Sequence, residues 1–393
     1  MEITYDTKIK LFPLSVRQEK LHYIVENTVT NDFFEMPEVC IEAISMIQNN
    51  GLLKDIEEKL SKKFFDEDVN IIEFIKQLIE LDFVSEIDGK TITRIVKMKE
   101  GTGFQWIPQK IGQILFNRYT AKIYFAMLLG SILILIFNPE LVPHYKDIFI
   151  FDLMIENVLT VFLITLLLVL LHELGHVIAI RGENLNARLE LGHRLFFAVL
   201  ETDLTQGWKL PAERRNTLLF AGMYIDIVVI FISLLLQLFM KADSVYAGIL
   251  GIVVFNTIVR LLYQLCVFMK TDFYYILENI TGCYNLMENG RNFLSRWFPI
   301  IKKDETTMPF NGEEIIVKRY AYFYLAGILL TIVITAYYYV PQMIFAVNEM
   351  MVPGFAEPLT SIRFWDSVVF LLQIVLVLGL LLYSWTKKYR ISS

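Results

Sequence analysis

Long runs of apolar residues recur along the chain after residue 120, and each is close to the length that a helix needs to cross a lipid bilayer. Such a helix needs roughly 20 apolar residues to span about 30 Å of hydrocarbon. The pattern predicts six crossings, at residues 121–137, 153–180, 217–240, 245–269, 320–345 and 367–385. We therefore expect residues 121–386 to form a mainly α, polytopic membrane helix bundle, followed by a short tail at 387–393.

The first hundred residues follow another pattern, in which charged and apolar positions alternate and no apolar run could span a bilayer. Residues 21–36 predict two extended segments around a polar turn at 27–32, and a helix can begin at Pro37. The last helix of this region has apolar residues at the spacing of one helical face, namely Val69, Ile72, Ile75, Ile79 and Phe83. An Asp88-Gly89 turn then predicts a closing hairpin.

These elements predict a small, winged-helix-like α/β soluble domain at residues 1–100, joined to the membrane part by a juxtamembrane connector at 101–120. The chain does not open on an apolar segment with a small-residue cleavage site, so insertion is expected to use the internal helices.

Composition supports a membrane protein, because 55% of the residues are hydrophobic, more than a soluble globular protein carries. The formal net charge is -6, and the basic residues flank the apolar runs, so we expect membrane lipid and not nucleic acid as a partner. The three cysteines, Cys40, Cys266 and Cys283, are too widely spaced for a CxxC metal pair or a disulfide framework.

The distribution of lysine and arginine predicts the orientation of the spans. Basic residues are concentrated in 110–122, in 181–215 and in 387–390, whereas the loops on the other side carry few. Because loops rich in lysine and arginine stay inside, both termini are expected to be cytoplasmic, in a bacterial plasma membrane.

The clearest chemical motif is HELGH, at residues 172–176 near the end of the second predicted span. On a helix, His172 and His176 lie one turn apart on the same face and can bind one metal ion. Glu173 is then placed to accept a proton from an attacking water molecule. The alternative is a set of polar residues at the membrane interface, but ionisable groups at this depth are costly unless they face a cavity or bind an ion.

A catalytic zinc of this type needs a third protein ligand and an open position. Asp272 is the leading candidate, because the topology returns it to the side of the membrane where the histidines lie. Glu278 is the alternative ligand, and an ordinary helix-end charge is the alternative interpretation of Asp272.

Three further polar residues lie within the predicted spans, where such groups tend to face the bundle interior and pair with one another: Asp226, Asn256 and Arg260. An Asp226–Arg260 pair would either support the metal ligands or substrate, or only hold two helices together. His193 has no partner at metal spacing, so a loop or interfacial role is expected. The loose alternation at 186–203 predicts a short hairpin.

Together these motifs resemble the site-2 protease family of intramembrane zinc metallopeptidases, over about residues 153–286. The resemblance rests on HELGH, on RRNTLLFAGMYID in the next predicted helix and on TDFYY after the following one. It implies that His172, His176 and Asp272 bind Zn²⁺ and that Glu173 is the catalytic base. The variant it most resembles has a Trp-x-Leu-Pro stretch before two arginines, matched by Trp208, Leu210, Pro211, Arg214 and Arg215.

Two departures from the family concern the bend before the third ligand. Phe273 replaces the glycine after the aspartate, and Gln264 with Val267 stands where an Asn-x-x-Pro turn is usual. We expect both departures to alter how Asp272 is presented.

The order of elements over residues 18–97 resembles the PqqD-like leader-peptide recognition fold. This resemblance implies that the soluble domain captures a precursor or leader peptide as an added strand, that the zinc site cuts it, and that a peptide exporter is a further partner. For the domain, the alternative is a small winged-helix domain used only for packing or dimer contacts. For the whole protein, it is a non-catalytic membrane peptide-binding immunity or transport-accessory protein. A di-iron hydroxylase would need many more histidines than the five present.

Overall fold

The computed structural model describes residues 3–20, 22–65, 68–92, 103–194, 197–241, 244–283, 285–299, 301 and 312–391. The chain forms two compact units. The N-terminal unit contains Met1–Thr102 together with Thr205–Pro211 and Glu278–Tyr284, and the membrane unit contains Gly103–Leu204, Ala212–Leu277 and Asn285–Ser393.

The N-terminal unit combines two small antiparallel sheets with three helices. The strands are β1 Ile9–Leu11, β2 Leu14–Gln18, β3 Tyr23–Asn27, β4 Asp32–Met36, β5 Val84–Ile87 and β6 Lys90–Thr91. The helices are α1 Glu38–Gln48, α2 Leu53–Lys63 and α3 Ile71–Glu80. One sheet has the order β2-β3-β4 and the other β1-β5-β6. The fold class predicted for this region, a small α/β domain, is confirmed.

The core of this unit is formed where the helices cover the strands, and Val25, Ile44, Ile75 and Phe83 are buried there. The two predicted extended segments are β3 and β4. The predicted closing hairpin is β5 and β6, whose turn residues Asp88 and Gly89 have φ of 49° and 76°, as a tight hairpin turn requires. Its continuation beyond residue 92 lies outside the described residues. The predicted last helix is α3. It is shorter than the run of apolar positions from which it was predicted, since Val69 precedes it and Phe83 follows it.

The membrane unit is a helix bundle with one hairpin. Its elements are α4 Gln109–Leu115, α5 Arg118–Phe137, α6 Met154–Gly182, strands β7 Arg188–Arg194 and β8 Phe197–Asp203, α7 Ala212–Phe239, α8 Val245–Gln264, the first part of α9 Asp272–Thr281, α10 Leu286–Leu294, α11 Glu314–Phe355 and α12 Ile362–Ile391. Residues 278–281 of α9 belong to the N-terminal unit. In the described part of the chain, six of these helices are long and apolar enough to cross a membrane. The predicted polytopic helix bundle of six spans is thus confirmed, and the chain is a multi-pass membrane protein by helix length and composition.

Several boundaries in this unit differ from the predicted ones. The fourth span ends at Gln264 instead of residue 269, because a 3₁₀ turn at Val267–Met269 takes over. The fifth is much longer than predicted, since α11 continues through two π-helical segments, at Thr335–Tyr339 and Ala346–Met351. The predicted connector at 101–120 contains a helix of its own, α4, which packs against α6.

The helix that carries HELGH, α6, is held by contacts at its beginning and near its end. At its beginning, the Asp366 carboxylate of α12 accepts hydrogen bonds from the backbone N–H groups of Met154 and Ile155, at 2.7 and 2.9 Å. Such a carboxylate satisfies N–H groups that have no partner within the helix. Near the other end α6 packs against α7, where a Cβ on Gly175 would lie 2.8 Å from the carbonyl oxygen of Ala221. Glycine therefore allows the two backbones to approach closely at the HELGH motif.

Candidate metal centre

The α6 helix places the two histidines of HELGH side by side and buries both of them. His172 and His176 are one turn apart, and their side chains are only 6% and 2% exposed. Their Nε2 atoms lie 3.3 Å from each other. Because the two imidazoles lie on one helical face, both direct their Nε2 atoms towards the same position.

The other ring nitrogen of each histidine is occupied by a partner on α7. Nδ1 of His172 lies 2.9 Å from Oδ2 of Asp226, and Nδ1 of His176 lies 2.8 Å from the carbonyl oxygen of Leu218. Since a carbonyl or carboxylate oxygen can only accept, each Nδ1–H donates, which in the neutral imidazole leaves the lone pair on Nε2. This is the arrangement in which outer hydrogen bonds orient histidine ligands towards a metal.

Asp272 completes a group of three donor atoms. Its Oδ2 lies 3.0 Å from Nε2 of His172 and 3.5 Å from Nε2 of His176. Tetrahedral ligands about 2.0 Å from a zinc ion lie about 3.3 Å from one another, which is close to all three separations. Among the described residues, Glu278 does not belong to this group. Glu278 lies instead in the 278–284 segment of the N-terminal unit.

A glycine on α7 leaves the space in front of these atoms open. A Cβ on Gly222 would lie 2.4 Å from Nε2 of His172 and 2.5 Å from Nε2 of His176. Any larger residue would therefore occupy the position to which the lone pairs point. Two imidazoles, one carboxylate and this free space fit a zinc ion with three protein ligands and an open fourth position.

The bend that presents Asp272 forms without the glycine and proline that are usual in the site-2 protease family, which the sequence resembles. After the 3₁₀ turn at Val267–Met269, Lys270 adopts a left-handed conformation with φ of 52° and ψ of 52°, and Asp272 is the first residue of α9. Gln264, at the end of α8, donates from Nε2 to Oδ2 of Asp272 at 2.9 Å. Lys270 thus supplies the turn, while Gln264 orients the carboxylate.

Of the three further polar residues expected in the spans, two lie behind His172. Asp226 is fully buried, and Arg260 of α8 donates to both of its oxygens, with Nε at 3.1 Å from Oδ2. The predicted Asp226–Arg260 pair is present, and through Asp226 it also contacts His172. Asn256 instead forms hydrogen bonds with Thr165 and with the carbonyl oxygen of Ile252.

The hairpin predicted at 186–203 is formed by β7 and β8, and β8 packs against α6. Thr202 of β8 lies beside the proposed base, with its Oγ1 2.8 Å from Oε2 of Glu173 and 3.3 Å from the carbonyl oxygen of Glu173. His193 lies in β7, opposite Ala198, and its side chain lies outside the described residues.

No family model, curated protein or solved structure matches this chain. A functional interpretation therefore rests on the residues of the site.

Two of the residues on which the predicted resemblance rests, Arg214 and Trp208, have contacts away from the three donor atoms. Arg214 pairs with Glu183 at 3.2 Å. Within the N-terminal unit, Arg17 of β2 donates to the carbonyl oxygens of Trp208 and Lys209, at 2.7 and 3.0 Å.

Sequence reasoning missed three contributors to the site: Leu218, Gly222 and Thr202. A signal for the first two was present, because Leu218, Gly222 and Asp226 are spaced four apart and so share one face of α7. All three approach the histidine rings. For Thr202 the sequence held no comparable signal, since its role depends on how β8 packs on α6.

Proposed function

We propose that this protein is a membrane-embedded zinc metalloendopeptidase of the site-2 protease type, which hydrolyses a peptide bond in a small precursor or leader peptide. The observation that carries the proposal is the convergence of His172 Nε2, His176 Nε2 and Asp272 Oδ2 within 4.8 Å of one another. Glu173, next to the first ligand on α6, supplies the carboxylate that peptide hydrolysis needs.

In this proposal His172, His176 and Asp272 hold Zn²⁺. When bound, zinc supplies the Lewis acidity that polarises a carbonyl group and activates water near neutral pH. Glu173 accepts the proton of the attacking water and returns it to the leaving amine. Asp226 holds the ring of His172 in the orientation that presents Nε2, and Leu218 does the same for His176 through its backbone carbonyl.

An extended peptide is the proposed substrate, and the strands near the site and in the N-terminal unit support this proposal. A protease site needs its substrate extended, and pairing with the edge of a sheet enforces that conformation. Among the described residues, β8 pairs on one side only, with β7, and β2 and β4 are the outer strands of their sheet. We propose that the N-terminal unit captures the peptide and that the membrane unit cuts it in the bacterial plasma membrane, with both termini cytoplasmic and a peptide exporter as the next partner.

The test is cleavage of a random decapeptide library by the purified protein in detergent micelles, followed by mass spectrometry. Wild type is expected to cut a defined subset of peptides, and Glu173→Gln is expected to cut them about a hundredfold to ten-thousandfold more slowly, as for lost acid–base catalysis. Glu156→Gln is the matched control, because Glu156 lies on the same helix and is exposed. Equal rates for wild type and Glu173→Gln would refute the mechanism. Zinc-loaded wild type that binds peptides but cuts none would favour a non-catalytic peptide-binding protein.

A further inference from the structure

The hydroxyl group of Thr202 joins the hairpin to the proposed base. Its Oγ1 lies 2.8 Å from Oε2 of Glu173 and also lies 3.3 Å from the backbone carbonyl of the same residue. Thr202 is half-buried, and Glu173 is 9% exposed. Because a carboxylate and a carbonyl can only accept, the hydroxyl is the donor in both contacts.

This contact limits the freedom of the Glu173 side chain. Hydrogen bonds from a hydroxyl to a carboxylate are short and stronger than neutral ones, so the bond fixes one carboxylate oxygen in place. Threonine is suited to this, because its β-branched side chain is restricted about χ1. The other carboxylate oxygen can then accept a proton from a reproducible position.

The geometry of a strand separates this role from peptide binding. Side chains of a strand project from the faces of the sheet, whereas its N–H and C=O groups lie in the plane and pair with a neighbouring strand. Thr202 therefore contacts Glu173 with its side chain, while the backbone N–H and C=O groups of β8 lie in the plane of the hairpin. One residue thus fixes the distance between the base and the strand along which an extended peptide would lie.

We infer that Thr202 is a positioning residue for Glu173, setting the base in register with a peptide bound along β8. The inference rests on the proposed protease function. Thr202 acts through Glu173 and contacts neither metal nor substrate with its hydroxyl. Its loss should therefore lower kcat and leave KM and zinc content unchanged.

The experiment compares wild type with Thr202→Val, which keeps the shape but lacks the hydroxyl, and with Thr202→Ser, which keeps the hydroxyl. The probe is a fluorogenic version of the decapeptide that wild type cuts fastest. Thr335→Val is the matched control, because Thr335 is exposed on α11 and its hydroxyl donates to the backbone carbonyl of Thr331. Zinc content and thermal unfolding are measured on every variant.

For Thr202→Val we expect kcat to fall about 10- to 100-fold, the effect of losing one hydrogen bond to a charged group, with KM within about twofold of wild type. Thr202→Ser should recover at least half of the wild-type kcat. Three results would overturn the inference: an unchanged kcat in Thr202→Val, an equal loss in Thr202→Ser, or loss of zinc in Thr202→Val. The last would mean that the hydroxyl maintains the fold. Failure of wild type to cut any peptide is a separate result, which rejects the protease function and this inference with it.

Discussion

The carboxylate of Asp226 accepts a hydrogen bond from Nδ1 of His172 at 2.9 Å. Because Asp226 is fully buried and is also paired with Arg260, it links a helix-packing ion pair to a proposed zinc ligand. The sequence allows two interpretations of the Asp226–Arg260 pair, helix packing and support of the metal ligands. In the structure one carboxylate makes both kinds of contact.

Replacing this carboxylate should weaken zinc binding. In Asp226→Asn the side chain keeps its shape but loses the charge that makes His172 a stronger ligand, so zinc affinity should fall about 10- to 100-fold. Competition with a chromogenic chelator measures this on the purified protein. Asp152→Asn, at a side chain that is 88% exposed, is the control and should bind zinc as wild type does. Wild-type affinity in Asp226→Asn would reduce Asp226 to a packing role.

A single methyl group at Gly222 should remove the metal. Gly222→Ala places a Cβ within 2.5 Å of both Nε2 atoms, where it competes with the ion, while alanine itself favours the helix. We expect a folded protein with little or no zinc. Gly251→Ala is the matched control in α8, because a Cβ there would lie 3.7 Å from Nε2 of Gln237, an ordinary contact distance. A full complement of zinc in Gly222→Ala would show that the ion, if present, is held elsewhere.

The topology predicted from the distribution of lysine and arginine can be tested with reporter fusions. A reporter after Ser393 should report a cytoplasmic end, and one inserted at residues 139–147 should report export. The opposite pattern would invert the predicted topology. Opposite locations for the two ends of the bundle would contradict an even number of crossings.

The elements that the sequence predicts well are those fixed by local physics. The apolar runs of α5 and α6 predict spans because hydrocarbon demands a minimum helix length, and the HELGH spacing places His172 and His176 on one face. By contrast, β1 and β2 gave no usable pattern. They are three and five residues long, and Pro13 interrupts the chain between them.

The parts of the site that sequence reasoning could not supply depend on packing between distant segments. Phe273 and Gln264 made the third ligand uncertain, because the usual glycine and proline are missing there. In the structure Lys270 makes the turn in a left-handed conformation, which no local rule predicts for lysine. Thr202 reaches Glu173 only because β8 packs on α6 across 29 positions of sequence.

The metal content of the purified protein tests the central claim most directly. If His172, His176 and Asp272 are the ligands, wild type should contain about one zinc per chain after exposure to zinc and removal of excess. Either His→Ala variant should contain none, Asp272→Ala should contain much less, and Glu278→Ala should match wild type. A wild-type protein without zinc would contradict the account, as would full zinc content in His172→Ala. Loss of zinc in Glu278→Ala, with full retention in Asp272→Ala, would transfer the third ligand to Glu278.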